Sequence, residues 1–274
     1  IKDASINSKL IKKNDIFFAI KGKNLDGNNF IPEAIKKKSS FVIVNRFNKN
    51  HPLSKQIKVK NTLKFLTTCS SILRENINAK IISITGSCGK TTLKEMIGLV
   101  LKKVSKTSFS PKSFNNKYGV PLSLFNMKQS DDFGVFEIGM DKKGEIDDLS
   151  KIIKPDLGLI TNISYAHSKN FKNIKQIADA KAEIMNNIKK NGIIVLNGDD
   201  HFFHYLKGLA LKKKLKVISF AINNKSSEIK LLSVKKIKNK YDLFLNINNN
   251  KFSFYTKNNN KNNLYNILAA IASI

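Results

Sequence analysis

The chain has 274 residues, 41% hydrophobic and 25% charged, the balance of a folded globular protein rather than a disordered or membrane-embedded one. Its formal charge is +29, yet of 49 basic residues only Arg46 and Arg74 are arginine; lysines scattered through every segment lack the bidentate forks that favour phosphate and base recognition, so no nucleic-acid partner is expected. No run approaches the roughly 20 apolar residues of a transmembrane helix, so neither membrane insertion nor a signal segment is expected, and Cys69 and Cys88 read as free thiols of a cytoplasmic, reducing setting.

In chain order, residues 15–20 and 41–44 read as strands, with a helical stretch at 32–38 between them and a further helix at 62–74. These make a small α/β domain over residues 1–79. From residue 80 to 274 the texture changes. Strands at 81–84, 134–138, 157–161, 193–197 and 216–220 alternate with helical patterns at 91–104, 145–153, 174–189 and 201–213. That alternation is the signature of a parallel sheet with crossover helices. Segments 229–234, 241–247 and 252–255 then alternate like an antiparallel meander. Leu264, Ile267, Leu268, Ile271 and Ile274 form a last helical stripe. With no initiator methionine and no cap after that stripe, both ends read as cut. The expected fold class is α/β: a small N-terminal α/β domain, then a phosphate-loop domain with a mostly parallel sheet and a short antiparallel extension.

The sharpest motif is Thr85-Gly86-Ser87-Cys88-Gly89-Lys90-Thr91-Thr92. A β-branched strand precedes it, and Leu93, Met96, Ile97, Val100, Leu101 and Val104 follow at helical spacing. Glycines at 86 and 89 let backbone N–H groups turn toward phosphate oxygens, and the helix N-terminus adds its positive end. Lys90 can reach β- and γ-phosphates, and the Thr91 hydroxyl can join a Mg²⁺ shell. Gly86, Ser87, Cys88, Gly89, Lys90, Thr91 and Thr92 are therefore the candidate ATP-binding residues. The G-x-x-x-x-G-K-[ST] pattern calls for glycine at position 84, where this chain has Ile84.

In a doubly wound sheet, ligands bind at the carboxyl ends of the strands. Glu137 closes one strand, where it reads either as an oxygen ligand for a phosphate-bridging metal or as a solvated carboxylate. His167 follows another strand, although Mg²⁺ prefers oxygen donors and a lone histidine is more often structural. Lys181 falls inside the apolar stripe Ile174, Ile177, Ala178, Ile184, Met185, Ile188. It either points inward, with a depressed pKa and an available neutral amine, or snorkels along the helix edge. Asn115 and Asn116 form a polar turn before a helix, and Asn263 and Asn266 share one face of the last helix, able to read a base edge. Asp141-Lys142-Lys143-Gly144 and Asn239-Lys240-Tyr241-Asp242 imitate GTPase motifs, but the second is flanked on the wrong side by its strand.

Taken in order, these segments resemble the Mur ligase family. The phosphate loop with Ile84 matches the family's variant. Asn115-Asn116-Lys117-Tyr118-Gly119-Val120-Pro121, Glu137-Ile138-Gly139 and Ala180-Lys181-Ala182-Glu183-Ile184 look like its substrate turn, metal-binding glutamate and modified lysine. Asn7-Ser8-Lys9 with residues 15–22 is similar to the UDP-sugar domain of the family branch that joins D-Ala-D-Ala to UDP-MurNAc-tripeptide. The resemblance implies an ATP- and Mg²⁺-dependent amide ligase of peptidoglycan precursor synthesis, acting as a monomer. Its third, C-terminal domain would lie outside this chain. It implies Lys90 on the ATP phosphates and Asn266 on adenine. It also implies Thr91, Glu137, His167 and a carbamylated Lys181 at the metal sites, and Ser8, Lys21, Asn115 and Asn116 toward the substrate. Two other readings are another ligase of the family, or a folylpolyglutamate synthase, and a phosphate-loop switch protein without ligase activity.

Overall fold

The computed structural model describes residues 2–165 and 170–274. The chain divides into two units, Ile1–Ile77 with Pro121–Lys128, and Asn78–Val120 with Gln129–Ile274. The stretch at 121–128 thus groups with the first unit, although the sequence pattern placed it in the second.

The first unit contains β1 (Ala4–Ser5), β2 (Ile16–Phe18), α1 (Ile31–Lys36), β3 (Phe41–Val44), β4 (Gln56–Lys58) and α2 (Thr62–Glu75). Its four strands pair in parallel in the order β1-β2-β3-β4. The strand expected over 15–20 is shorter because the Ile20 N–H turns back to the Phe18 carbonyl at 2.9 Å. Phe17, Val42 and Val44 of the strands pack with Ile31 and Ala34 of α1 to form its core. Asn61 opens α2, its side chain accepting from the Lys64 N–H, a cap that satisfies one of the helix's unpaired amides.

In the second unit follow β5 (Lys80–Thr85), α3 (Lys90–Leu101) and β6 (Thr107–Phe109). Helix α4 (Gly119–Phe125) begins in this unit, and β7 (Phe133–Glu137), α5 (Glu145–Ile153), β8 (Leu157–Ile160), α6 (Ile174–Ala182) and β9 (Ile193–Asn197) come after it. The unit is completed by α7 (Phe203–Lys212), β10 (Lys216–Ala221), β11 (Ile229–Ile237), β12 (Lys240–Ile247), β13 (Asn250–Thr256) and α8 (Lys261–Ile271). One nine-stranded sheet runs β13-β12-β11-β10-β9-β8-β5-β7-β6. It is parallel from β6 through β11 and antiparallel only across β11, β12 and β13. The meander is therefore an extension of the main sheet: Phe220 and Ala221 of β10 pair in parallel with Ile229 and Lys230 of β11. Leu243 and Leu245 of β12 are buried in the same core as Ile84, Leu93 and Ile97.

Two helices end earlier than their apolar stripes. α3 gives way after Leu101 to a tighter turn, in which the Lys103 N–H donates to the Val100 carbonyl at 3.1 Å and the Val104 N–H to the Leu101 carbonyl at 3.0 Å, three residues back instead of four. Val104, expected on the buried stripe, is consequently 81% exposed. The helix expected over 174–189 gives way after Ala182 to a tighter turn at Glu183–Asn186. The three-residue edge strand β6 is too short for any periodicity in the sequence to mark it. The Asn-Lys pair of the GTPase-like motif lies at the start of β12, in the β11–β12 hairpin, away from any parallel-strand end.

Candidate nucleotide site

Strand order decides where a ligand can sit. The chain leaves β5 toward β6 and β7 on one side and returns to β8, β9 and β10 on the other, so the crevice at the carboxyl end of β5 is a topological switch point. The loop at 86–89 occupies it. Register places Glu137 of β7 opposite Ile84, and Ile160 of β8 opposite Thr85, which brings the residues after both neighbouring strands to the loop.

Gly86 has φ +144° and Gly89 φ +84°, conformations that disfavour any side chain. A Cβ at Gly86 would lie 1.9 Å from Thr161 Oγ1, and one at Gly89 would lie 2.9 Å from Asn266 Oδ1. Both glycines therefore serve close approach as well as the turn. The Ser87 N–H donates to the Asn162 carbonyl and the Cys88 N–H to Asn162 Oδ1, each at 3.0 Å, while Thr161 Oγ1 donates to the Cys88 carbonyl at 2.7 Å. Two amides expected to face phosphate are thus engaged by the chain itself. Among the described residues, the amides of Lys90, Thr91 and Thr92 in the first turn of α3 stay unengaged, because intrahelical bonding starts only with Leu93 N–H to the Gly89 carbonyl. The only mark that Thr161 and Asn162 leave in the sequence is a polar pair directly after a buried strand.

Lys90 curls over the loop, its Nζ donating to the carbonyls of Gly86 at 2.8 Å and Ser87 at 3.4 Å. Burial holds its pKa below the usual lysine range, partly offset by the Glu137 carboxylate. Glu137 is 1% exposed and accepts from two sides: Thr91 Oγ1 donates to one carboxylate oxygen and Asn115 Nδ2 to the other, each at 2.7 Å. Hydroxyl and carboxylate oxygens are the hard donors Mg²⁺ takes, and Mg²⁺ needs few of them from protein. The oxygen pair thus fits that ion. Among the described residues no cluster of three or more His, Cys, Asp or Glu side chains forms.

Lys181 of α6 points inward and is 2% exposed. Burial first, and the charge of Lys90 second, lower its pKa from 10.5 to about 7. Among the described residues no acceptor bonds its Nζ. Asn266 of α8 is buried against Gly89, whereas Asn263 is spent on the Asn258 carbonyl at 2.6 Å, so only one of the pair reaches the loop. Next to Asn266, Tyr265 donates its hydroxyl to Asp199 Oδ2 at 3.0 Å, and burial with that contact raises its pKa.

A cavity of about 540 Å³ opens beside Lys90, lined among others by Asn115, Asn116, Tyr118, Asp141 and Lys142. Asn116 also accepts from the N–H groups of Tyr118 and Gly119, at 3.1 and 3.0 Å, ordering the start of α4. Thr92 is exposed on the first turn of α3. Cys88 is exposed on the loop and Cys69 half-buried, both as free thiols. Ser8 and Lys21 belong to the first unit. Ser8 is buried and donates its hydroxyl to Glu33 Oε2 at 2.6 Å, while Lys21 is exposed and bridges Asp26 across a turn. His167 lies outside the described residues.

Switch-point loop, curled lysine, the Thr91–Glu137 oxygen pair and, among the described residues, unengaged first-turn amides together define a phosphate-loop module of the doubly wound α/β class. The model of the Mur ligase middle domain matches residues 84–274, and the chain belongs to the Mur ligase family. It is 36% identical over 250 residues to the UDP-N-acetylmuramoyl-tripeptide--D-alanyl-D-alanine ligase of Rickettsia prowazekii, covering 90% of this chain and 55% of that protein. The fold superposes on MurF from Acinetobacter baumannii with a TM-score of 0.87 at 28% identity, covering 100% of this chain and 59% of that one. It superposes on a MurF ligase from Thermotoga maritima in complex with ADP with a TM-score of 0.84 at 26% identity, covering 99% and 62%. The chain spans about half the length of the curated relatives it matches. Among the described residues no helix is long and apolar enough to cross a membrane.

Proposed function

We propose that this chain is the UDP-sugar-binding and ATP-binding part of a ligase that joins D-Ala-D-Ala to UDP-MurNAc-tripeptide in cell-wall precursor synthesis, working as a cytoplasmic monomer. The observation that carries the reading is the oxygen cluster of Thr91 and Glu137 beside Lys90, at the switch point, with Lys181 buried nearby in electrostatic reach of Lys90. Residues 1–79 would hold the UDP-sugar, with exposed Lys21 facing it and Ser8, which is buried on Glu33, ordering the backbone toward it, and residues 80–274 the nucleotide.

In this reading the first-turn amides of α3 and Lys90 hold the β- and γ-phosphates, and Asn266 meets the adenine. Thr91 and Glu137 hold Mg²⁺, joined by His167 on the strength of sequence resemblance alone. Bound Mg²⁺ would neutralise charge on the transferring phosphoryl group. Lys181, with its amine half neutral near pH 7, takes up CO₂ and releases a proton to become an anionic carbamate, a metal ligand in place of a repelling cation. Asn115 fixes the Glu137 carboxylate, and with Asn116 borders the cavity where the peptide carboxylate arrives. That carboxylate takes the γ-phosphoryl group while ADP leaves, and the amine of D-Ala-D-Ala then displaces phosphate from the acyl carbon. Lys90 stabilises the developing negative charge.

The test is mass-spectrometric detection of product with the chain extended to the length of its relatives, given ATP, Mg²⁺, UDP-MurNAc-tripeptide and D-Ala-D-Ala. ADP and the ligated pentapeptide product are expected in equal amounts. Turnover with a single amino acid in place of the dipeptide, or ATP hydrolysis without any ligated product, overturns the assignment.

A further inference from the structure

Lys94 lies one turn along α3 from Lys90 and is fully buried, a rare state for lysine unless it is paired. Its Nζ donates to the main-chain carbonyls of Ser110 at 2.5 Å and Lys112 at 2.6 Å, and pairs with Glu95 Oε1 at 2.8 Å. Three acceptors use all three of its donors. Both carbonyls belong to the irregular connection after β6, in which Pro111 has no N–H to give and Lys112 sits at φ +48°.

That connection carries two of the groups around the oxygen cluster. Ser113 Oγ lies 3.3 Å from Thr91 Oγ1, and Asn115 Nδ2 donates to Glu137 at 2.7 Å. Thr91, on the first turn of α3, and Lys94 bracket the same stretch from one helix. Among the described residues the Lys94 amine bonds neither Glu137 nor Thr91, yet it clamps the backbone that brings Asn115 to one and Ser113 to the other. We propose that Lys94 is a positioning residue: by clasping the Ser110 and Lys112 carbonyls it fixes the connection so that Asn115 and Ser113 hold the Glu137 carboxylate and the Thr91 hydroxyl in metal-binding orientation. This rests on the nucleotide-binding reading above. Without the clasp, two carbonyls lose their shared donor and the connection is free to leave α3, taking the Asn115 contact with it.

Calorimetric titration with ADP separates this role from ordinary structural damage when done twice, with excess Mg²⁺ and with chelator. Lys94→Met should weaken Mg²⁺-ADP binding at least tenfold and leave metal-free ADP binding within about twofold. Asn115→Ala should show the same metal-specific loss, and Lys94→Met with Asn115→Ala should be no worse than Lys94→Met alone, because both act through one contact. Lys112→Pro, at an exposed site whose φ proline cannot adopt, disturbs the clasp without emptying the core and should reproduce the loss if Lys94→Met does not fold. Unchanged Mg²⁺-ADP affinity in the folded variants, equal losses with and without metal, or additive effects of Lys94→Met and Asn115→Ala overturn the proposal. If the unsubstituted chain binds no ADP at all, the nucleotide reading falls and this one with it, a result distinct from a failure confined to the variants.

Discussion

Replacing Lys181 with methionine keeps the length and apolar stem of the side chain and removes only its titrating amine. In the unfolded chain that amine titrates near 10.5, and in the folded chain near 7. Between those values the unfolded chain holds the extra proton, so stability rises as the pH climbs through the interval, and below pH 7 the full penalty of a buried ammonium is present. At about 1.4 kcal/mol per pH unit of displacement, that penalty is roughly 5 kcal/mol in acid, about 4 at pH 7 and below 3 at pH 8.5. Lys181→Met should therefore stabilise the protein by nearly these amounts, with a gain that shrinks toward zero near pH 10.5. Urea denaturation followed by circular dichroism from pH 6 to 10, in buffer stripped of CO₂ so that the amine stays unmodified, reads the difference directly. A variant less stable than the parent at pH 6.5, or a gain that does not vary with pH, would refute the claim that Lys181 is buried with a depressed pKa. Added bicarbonate should narrow the gap, because a carbamate removes the ammonium from the pocket.

Four further outcomes test other parts of the structure. Gly86→Ala places a methyl 1.9 Å from Thr161 Oγ1 on a backbone at φ +144°; thermal denaturation should show a loss above about 3 kcal/mol, or ADP binding should vanish with the loop displaced. Ile84→Gly, which restores the general phosphate-loop consensus, should cost about 3–5 kcal/mol because Ile84 is fully buried in the sheet core; a neutral result would show that the residue is not packed there. Leu245→Ala should cost about 2–4 kcal/mol, and Phe244→Ala, its 38% exposed neighbour on the opposite face, less than about 1; equal costs in urea unfolding would contradict the shared core of sheet and meander. Glu137→Gln removes the charge while its amide oxygen still accepts from Asn115 and its NH₂ group can donate to the Thr91 hydroxyl; it should abolish the gain in ADP affinity on adding Mg²⁺, measured by titration, while metal-free affinity is retained.

How much of the fold and the site is legible in the sequence depends on the range over which each signal acts. The phosphate loop, the alternation of strand and helix, and the place of Lys181 within an apolar stripe are written in local order: two glycines and a lysine at fixed spacing, β-branched runs, a charged residue in the middle of an apolar helical pattern; that Lys181 turns inward instead of snorkelling is decided by the tertiary structure. Local patterns suffice for the rest because backbone conformation and the buried face of a helix are decided within a few residues. Helix ends were less legible. α3 tightens into three-residue bonding after Leu101, and the apolar stripe runs on to Val104, which is exposed. The joining of β11 to β10, which turns a separate-looking meander into the edge of the main sheet, depends on strand pairing between distant segments and leaves no periodic trace.

The sequence alone thus determined the kind of chemistry available, a phosphate loop with a carboxylate, a lysine in an apolar stripe and asparagines to accompany it. Only the tertiary structure decided which of them meet. Asn115 reaches Glu137 across 22 residues and Asn162 closes on Cys88 across 74, and Asn266 rather than Asn263 backs Gly89. Those pairings follow from the order in which strands join around β5. That order is set by long-range packing, which the spacing of residues along the chain does not encode.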